Sequence, residues 1–188
     1  MARVAYVDGR YTPHQDAAVH VEDRGFQFSD GVYEVAVCIG GALVDLAPHL
    51  DRLERSLSEL EISPPTSRKV LEMVMKELLA RNGVRDGLIY IQITRGTAPR
   101  DHAFPSNAKP TLVMTTKRVD FLNQKKILDG VKIITTADLR WDRCDIKSVS
   151  LLPNCIAKTE ARRADAEEAW MVDDNRCVTE GTSCNAWI

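Results

Sequence analysis

The 188-residue sequence lacks an excess of either charge, since 25 lysines and arginines stand against 27 aspartates and glutamates, for a formal net charge of −2. Proteins that bind nucleic acid or anionic membranes through nonspecific electrostatics carry a clear excess of basic residues. We therefore expect neither a nucleic acid nor a membrane surface as a partner.

Long apolar runs are also missing. The longest uncharged apolar run, 35–44, is interrupted by Gly40 and Gly41 and is far shorter than the roughly 20 residues that cross a bilayer. The first ten residues, MARVAYVDGR, contain charges and a turn, which is unlike a secretory leader. We expect a cytoplasmic protein without a membrane span.

Metal-binding and disulfide patterns are absent as well. The five cysteines are an odd number without C-x-x-C spacing, so reduced thiols are the expectation. The four histidines show neither zinc-finger nor H-E-x-x-H spacing, so a metal site has no support.

The first part of the chain combines strand and helix patterns. VAYVDG predicts a strand and a turn, and two β-rich runs joined by Gly40-Gly41 predict a hairpin. Leucines at helical spacing predict a helix from Leu46 to about Ile62 with Asp45 as its cap. A second helix follows, with Ser67 as its cap, and ends at Asn82-Gly83. Alternation in GLIYIQITRG and the run TLVMTT predict two neighbouring strands.

The pattern changes after Lys117, so we assign 1–117 to an N-terminal domain and 118–130 to a connecting segment. In 131–188 we predict a strand at VKIITTA, a helix after Pro153 and a hairpin. The sequence stops at SCNAWI, where an apolar strand has just begun. We expect 131–188 to be an incomplete second domain of a longer protein.

Four residues are candidates for chemistry, and each has an ordinary structural alternative. Lys147 lies between Ile146 and Val149, where desolvation makes an amine a better nucleophile, although most strand lysines are simply solvated. The alternatives are a turn carboxylate for Glu180, a surface ion pair for Arg52 and an ordinary strand aromatic for Tyr33.

Arg100 and His102 stand two positions apart in a polar loop after the strand-like run. A guanidinium gives a carboxylate two parallel hydrogen bonds, and a nearby imidazole adds another donor. The pair therefore suits capture of a small acid, although most such loop residues are only solvated.

Together, these segments resemble the class-IV, fold-type-IV aminotransferases that use pyridoxal phosphate, most closely the D-amino-acid transaminases. The resemblance covers nearly the whole chain and rests on several motifs in the family's order, which is more specific than any one of them. These motifs are DRGFQFSDGVYEV, HLDRLERS, YIQITRGTAPRDH, RCDIKSVSLLPN and VTEGTSCN.

The resemblance implies an α+β, D-amino-acid-aminotransferase-like fold, with an N-terminal α/β sandwich domain and an incomplete C-terminal pseudo-barrel domain. It implies pyridoxal 5'-phosphate as the cofactor and a homodimer as the assembly. The substrates implied are a D-amino acid, such as D-alanine, and a 2-oxo acid acceptor, such as 2-oxoglutarate.

The same resemblance implies a role for each candidate. Lys147 would bond covalently to the cofactor and carry the proton during catalysis, Glu180 would face the pyridine nitrogen, and Arg52 would bind the phosphate. The substrate carboxylate would be bound by Tyr33, Arg100 and His102, the last two from the neighbouring subunit of the dimer.

Three alternatives stay open. Two are relatives of the same class, a branched-chain aminotransferase and an aminodeoxychorismate lyase, and the loop from Arg95 to His102 favours the D-amino-acid enzymes over both. The third is a non-catalytic fragment that keeps the N-terminal domain for assembly.

Overall fold

The computed structural model describes residues 3–121 and 129–186, which fall into two compact units. The first unit comprises Met1–Phe121 and Asp145–Val149, and the second comprises Leu122–Cys144 and Ser150–Ile188. The sequence-based division differs, because it assigns 145–149 to the second domain. These five residues lie in the first unit because their backbone hydrogen-bonds with residues 31–33. Most of the predicted connecting segment, 122–128, lies outside the described residues.

The first unit is built on a six-stranded antiparallel sheet with the strand order β2-β1-β6-β5-β3-β4. Its strands are β1 (Val4–Val7), β2 (Arg10–Pro13), β3 (Gly31–Ile39), β4 (Ala42–Leu43), β5 (Gly87–Thr94) and β6 (Thr111–Arg118). The predicted Gly40-Gly41 hairpin is confirmed by the antiparallel pairing of β3 with β4. The predicted pairing of β5 with β6 is confirmed over the full length of both strands.

Alternating burial explains why β5 forms and where it faces. Ile89, Ile91 and Ile93 are buried, whereas the side chains between them are partly exposed, as the period of two requires. Its register with β3 pairs Gly31 with Thr94 and Tyr33 with Gln92. The start of β3 therefore lies beside the end of β5, which leads into the loop that carries Arg100 and His102.

The described helices of the first unit include α1 (Arg24–Phe28), α2 (Leu46–Glu59) and α3 (Arg68–Arg81). The leucine stripe of α2 and the apolar face of α3 are buried in one core with the sheet, so both helix predictions are confirmed. The expected cap at Asp45 is wrong, because this residue adopts a left-handed conformation and its side chain makes no capping hydrogen bond. Ser67 precedes α3 without a side-chain cap either.

The second unit contains a three-stranded sheet and a helix that packs on it. Its strands are β7 (Ile133–Ala137), β8 (Glu168–Val172) and β9 (Val178–Gly181). β7 and β8 are parallel and are joined through α4 (Leu152–Arg163), while β8 and β9 form the predicted antiparallel hairpin. Small alanines of α4 pack against Met171 of β8, which brings this helix close to the sheet. In the described part of the chain, no helix is long and apolar enough to span a membrane.

Candidate active site

The backbone around Lys147 is fixed by hydrogen bonds to β3 and α2. The Tyr33 N–H donates to the Lys147 carbonyl oxygen at 2.9 Å, and the Val149 N–H donates to the Gly31 carbonyl oxygen at 3.1 Å. The Lys147 N–H donates to the hydroxyl oxygen of Ser56, which is fully buried on α2. Lys147 therefore starts from a rigid backbone position along the first residues of β3.

The Lys147 side chain reaches Tyr33. Its Nζ lies 3.3 Å from the Tyr33 hydroxyl oxygen and 4.4 Å from the ring centroid. The Tyr33 ring in turn stacks on Tyr90, with 5.6 Å between centroids. Burial, and then the neighbouring Tyr33, raise the pKa of Tyr90 to about 12, so Tyr90 stays a neutral phenol at physiological pH. The amine thus contacts the hydroxyl and the ring of Tyr33, which is held in place by stacking on Tyr90.

Arg52 binds a buried carboxylate, which the sequence reasoning missed. Both Nε and Nη2 of Arg52 donate to Glu34, the latter at 3.0 Å, and His49 Nδ1 lies 2.9 Å from the same carboxylate. Glu34 is fully buried, whereas the Arg52 side chain is 44% exposed. Burial acts to raise the pKa of Glu34, but the hydrogen bonds from Arg52 and His49 outweigh it and the pKa is lowered. The buried Glu34 carboxylate therefore orients the Arg52 guanidinium, while part of the Arg52 side chain is exposed to solvent.

Arg100 and His102 are exposed, and both pack on the ring of Phe28 at the end of α1. The Arg100 guanidinium carbon lies 4.6 Å from the Phe28 ring centroid, and the His102 ring centroid lies 5.4 Å from it. One aromatic side chain thus brings together the two predicted carboxylate-binding residues. An aromatic face favours the charged guanidinium.

Glu180 belongs to the second unit, on β9. Its carboxylate forms an ion pair with Arg140, which also binds Asp138 with an Nη2 to Oδ2 distance of 2.8 Å. Hydrogen bonding from Arg140 holds the pKa of Asp138 well below its usual range. Because Arg140 is nearly buried and fixed by Asp138, it holds the half-exposed Glu180 side chain in one orientation.

The structure thus brings Tyr33 and Lys147 into contact and joins Arg100 to His102 through Phe28. Arg52 lies on α2 one helical turn before Ser56, which binds the Lys147 backbone. The supporting residues that sequence reasoning missed include Phe28, Glu34, His49 and Arg140. Phe28, Glu34 and His49 stand inside motifs that carry the resemblance, so the signal was present, whereas Arg140 lies just before one.

The family model for amino-transferase class IV matches residues 31–188, which include Tyr33, Lys147 and Glu180. The chain belongs to this family. Among its curated relatives, the D-alanine aminotransferase of Bacillus licheniformis is 42% identical over 181 residues. That of Staphylococcus epidermidis is 40% identical over 183 residues. The match covers 96% and 97% of this class IV chain, which spans 63% and 64% of the length of the two relatives.

Solved structures of the family share the fold. The branched-chain amino acid aminotransferase of Escherichia coli superposes with a TM-score of 0.85 at 19% identity, covering 97% of this chain and 63% of that protein. The branched-chain amino acid aminotransferase of Thermoproteus uzoniensis, solved with norvaline, gives 0.80 at 20% identity, with the same coverage of both chains. The expected α+β fold of class IV aminotransferases is therefore confirmed.

Proposed function

We propose that the protein with this sequence transfers the amino group of a D-amino acid, such as D-alanine, to a 2-oxo acid such as 2-oxoglutarate. The observation that carries the proposal is the contact of the Lys147 amine with the Tyr33 hydroxyl in a class IV chain. The substrate class is supported by the D-alanine aminotransferases that are 42% and 40% identical to the chain.

The residues present fit pyridoxal 5'-phosphate as the cofactor. Its aldehyde needs an amine, its phosphate needs a fixed cation, and its ring nitrogen is favoured by a carboxylate. The chain offers the rigidly held Lys147, the oriented guanidinium of Arg52 and the carboxylate of Glu180. When bound, this cofactor supplies an electron sink for the charge that develops at the substrate Cα.

Lys147 is the proposed proton carrier. A neutral amine at Nζ can accept the Cα proton and return it, as general acid and base catalysis requires. The Tyr33 hydroxyl, 3.3 Å from Nζ, orients this amine and offers it a hydrogen-bond partner. Backbone bonds from Lys147 to Ser56 and Tyr33 limit its movement, so the amine needs little reorganisation before reaction.

The substrate carboxylate is proposed to bind Tyr33, Arg100 and His102. A bidentate guanidinium contact fixes both the position and the plane of a carboxylate, which decides which Cα substituent points at the base. Arg100 and His102 are proposed to serve the neighbouring subunit of a homodimer, so that each site draws on two chains. A cytoplasmic location stays a prediction from the sequence.

Substrate competition tests this proposal. Steady-state turnover with 2-oxoglutarate as acceptor is measured with D-alanine, L-alanine and L-leucine at equal concentrations, with pyridoxal phosphate in excess. We expect activity with D-alanine and little with either L-amino acid. A preference for L-leucine would assign the protein to the branched-chain enzymes of the same family instead.

A further inference from the structure

A buried charged network contacts the backbone of the loop that carries Arg100 and His102. It consists of Arg24 on α1, Asp30 before β3 and Arg95 after β5, whose side chains are at most 7% exposed. Nε of Arg24 and Nε of Arg95 each donate to the same oxygen of Asp30, at 2.7 Å in both cases. Buried charges persist in proteins when they are paired and hydrogen-bonded, so this network holds its three side chains in one arrangement.

Arg24 extends from this network to the backbone of the loop. Its Nη1 donates to the carbonyl oxygen of Asp101 at 2.6 Å, and its Nη2 donates to that of His102 at 3.4 Å. The two carbonyls belong to the residues directly after Arg100. A single guanidinium thus uses its planar fork to fix two successive peptide groups, a geometry that lysine cannot reproduce.

Arg24 and Arg95 also support the aromatic side chains around the loop. The Arg24 guanidinium carbon lies 4.7 Å from the centroid of Phe28, the ring on which Arg100 and His102 pack. That of Arg95 lies 3.6 Å from the centroid of Phe104, further along the loop. Arg95 anchors the start of the loop through the carbonyls of Leu60 and Glu61.

A second buried carboxylate, Asp23, precedes Arg24 and is satisfied by other donors. It accepts hydrogen bonds from the Gly25 N–H at 2.9 Å and from the Thr94 hydroxyl at 2.8 Å. The formal charges of Asp23 and Asp30 balance those of Arg24 and Arg95. Arg24 therefore acts on the loop through its directed hydrogen bonds and its contact with Phe28, and not through an uncompensated charge.

We propose that Arg24, held by Asp30, is a positioning residue that prepares Arg100 and His102 to bind the substrate carboxylate. This inference rests on the proposed function for the role of the loop. The contact of Arg24 with the loop backbone does not depend on that role, so the two can be tested separately.

The first test is amide hydrogen exchange of the loop 99–104 in the protein without substrate. We compare Arg24→Gln with Arg68→Gln, a control in which the arginine also donates hydrogen bonds to a carboxylate and to a backbone carbonyl, those of Asp51 and Ala47. We expect loop exchange to accelerate by about tenfold or more in R24Q and to stay at the wild-type rate in R68Q. Wild-type exchange of the loop in R24Q would overturn the proposal.

The second test separates binding from chemistry. R24Q is expected to raise both the KM for D-alanine and the inhibition constant of propionate, which keeps the carboxylate but lacks the amine. A rise of about 10- to 100-fold is expected for a misplaced binding group, with kcat changed less than KM. A loss confined to kcat, with KM and the inhibition constant unchanged, would contradict a positioning role for Arg24.

Two further variants address an R24Q protein that does not fold and the role of Arg100 in carboxylate binding. If R24Q does not fold, Arg24→Lys retains the charge beside Asp30 but loses the planar fork, and we expect its loop exchange to be faster than in the wild type. Wild-type exchange in a folded R24K would overturn the proposal. Arg100→Ala tests the proposed function itself, because an unchanged KM would show that Arg100 does not bind the substrate carboxylate. The hydrogen-exchange result would still test the contact of Arg24 with the loop.

Discussion

The Lys147 amine nitrogen lies 3.3 Å from the hydroxyl oxygen of Tyr33, although 114 positions separate the two residues in the sequence. The contact exists because residues 147–149 run beside the first residues of β3, with backbone hydrogen bonds in both directions. This pairing brings an amine to a phenol that is itself stacked on Tyr90. Of the remaining candidate residues of the first unit, Arg52 lies on α2, and Arg100 and His102 lie in the loop between β5 and β6.

Lys147→Ala is expected to reduce transamination by at least about 10²- to 10⁴-fold, because it removes the amine that we propose carries the proton. The side chain contributes little to the core, so the thermal midpoint is expected to stay close to that of the wild type. Turnover with D-alanine and a thermal melt measure the two effects. Lys117→Ala, at an exposed strand position, is the control and should keep full activity. Near-parental turnover of K147A would remove Lys147 from the mechanism.

Arg100→Ala is expected to raise the KM for D-alanine by about 10- to 150-fold, since a charge-assisted hydrogen bond contributes roughly 1.5 to 3 kcal/mol. The exposed side chain contacts Phe28 and adds little stability, so unfolding should be unaffected. Initial rates over a range of D-alanine concentrations measure this effect. Arg10→Ala, exposed on β2, serves as the control for a lost surface charge. An unchanged KM in R100A would exclude Arg100 from carboxylate binding.

Glu34→Gln is expected to destabilise the protein by about 1 to 3 kcal/mol at neutral pH, because a neutral amide replaces the buried carboxylate that pairs with Arg52. The pKa of Glu34 is lowered in the folded state, so its contribution is present above the ordinary glutamate pKa. It is lost as the pH falls through the lowered value. The stability difference between wild type and E34Q should therefore shrink on acidification.

Urea unfolding at pH 7 and at stepwise lower pH measures this dependence on Glu34. Glu77→Gln removes an exposed carboxylate that pairs with Arg81 one turn away and should change stability by less than about 0.5 kcal/mol. A difference between wild type and E34Q that grows on acidification would contradict the assigned direction of the pKa shift.

Gly96→Ala is expected to destabilise the loop that leads to Arg100. Gly96 has a φ of 97°, and an added Cβ would meet the Lys109 carbonyl oxygen at 1.8 Å. Gly9 has a similar φ of 91° but open space around it, so G9A measures the cost of the backbone conformation alone. We expect G9A to cost about 1 kcal/mol and G96A at least about 2 kcal/mol more, by urea unfolding. Equal costs would mean that the close approach at Gly96 is relieved by movement.

Periodicity in the sequence predicts most of the regular structure of the chain. The alternation in 87–94 and the leucine spacing after Leu46 correspond to β5 and α2, because these patterns repeat with the geometry of strand and helix. The short α1 has too few residues for a period to be detected, and β2 is only four residues long. The caps expected at Asp45 and Ser67 form no side-chain bond, since residue type alone does not determine backbone conformation.

The candidate site was less accessible to sequence reasoning than the fold. Periodicity carries no information on pairs such as Glu34 with Arg52 or Arg24 with the loop carbonyls, which are joined only when distant segments fold together. The grouping of Tyr33 with Lys147 was predicted through the family resemblance, not through spacing. Their contact is now seen in the structure, whereas the chemical roles of these residues stay predictions.

The most direct measurement of the central claim is the visible absorption spectrum of the purified protein with pyridoxal phosphate, recorded during addition of D-alanine and, separately, of L-alanine. We predict an absorption band of the bound cofactor that disappears with D-alanine and persists with L-alanine, and that is absent when Lys147→Ala replaces the wild type. A band that persists with D-alanine, or that forms equally in the Lys147→Ala variant, would contradict the proposed function.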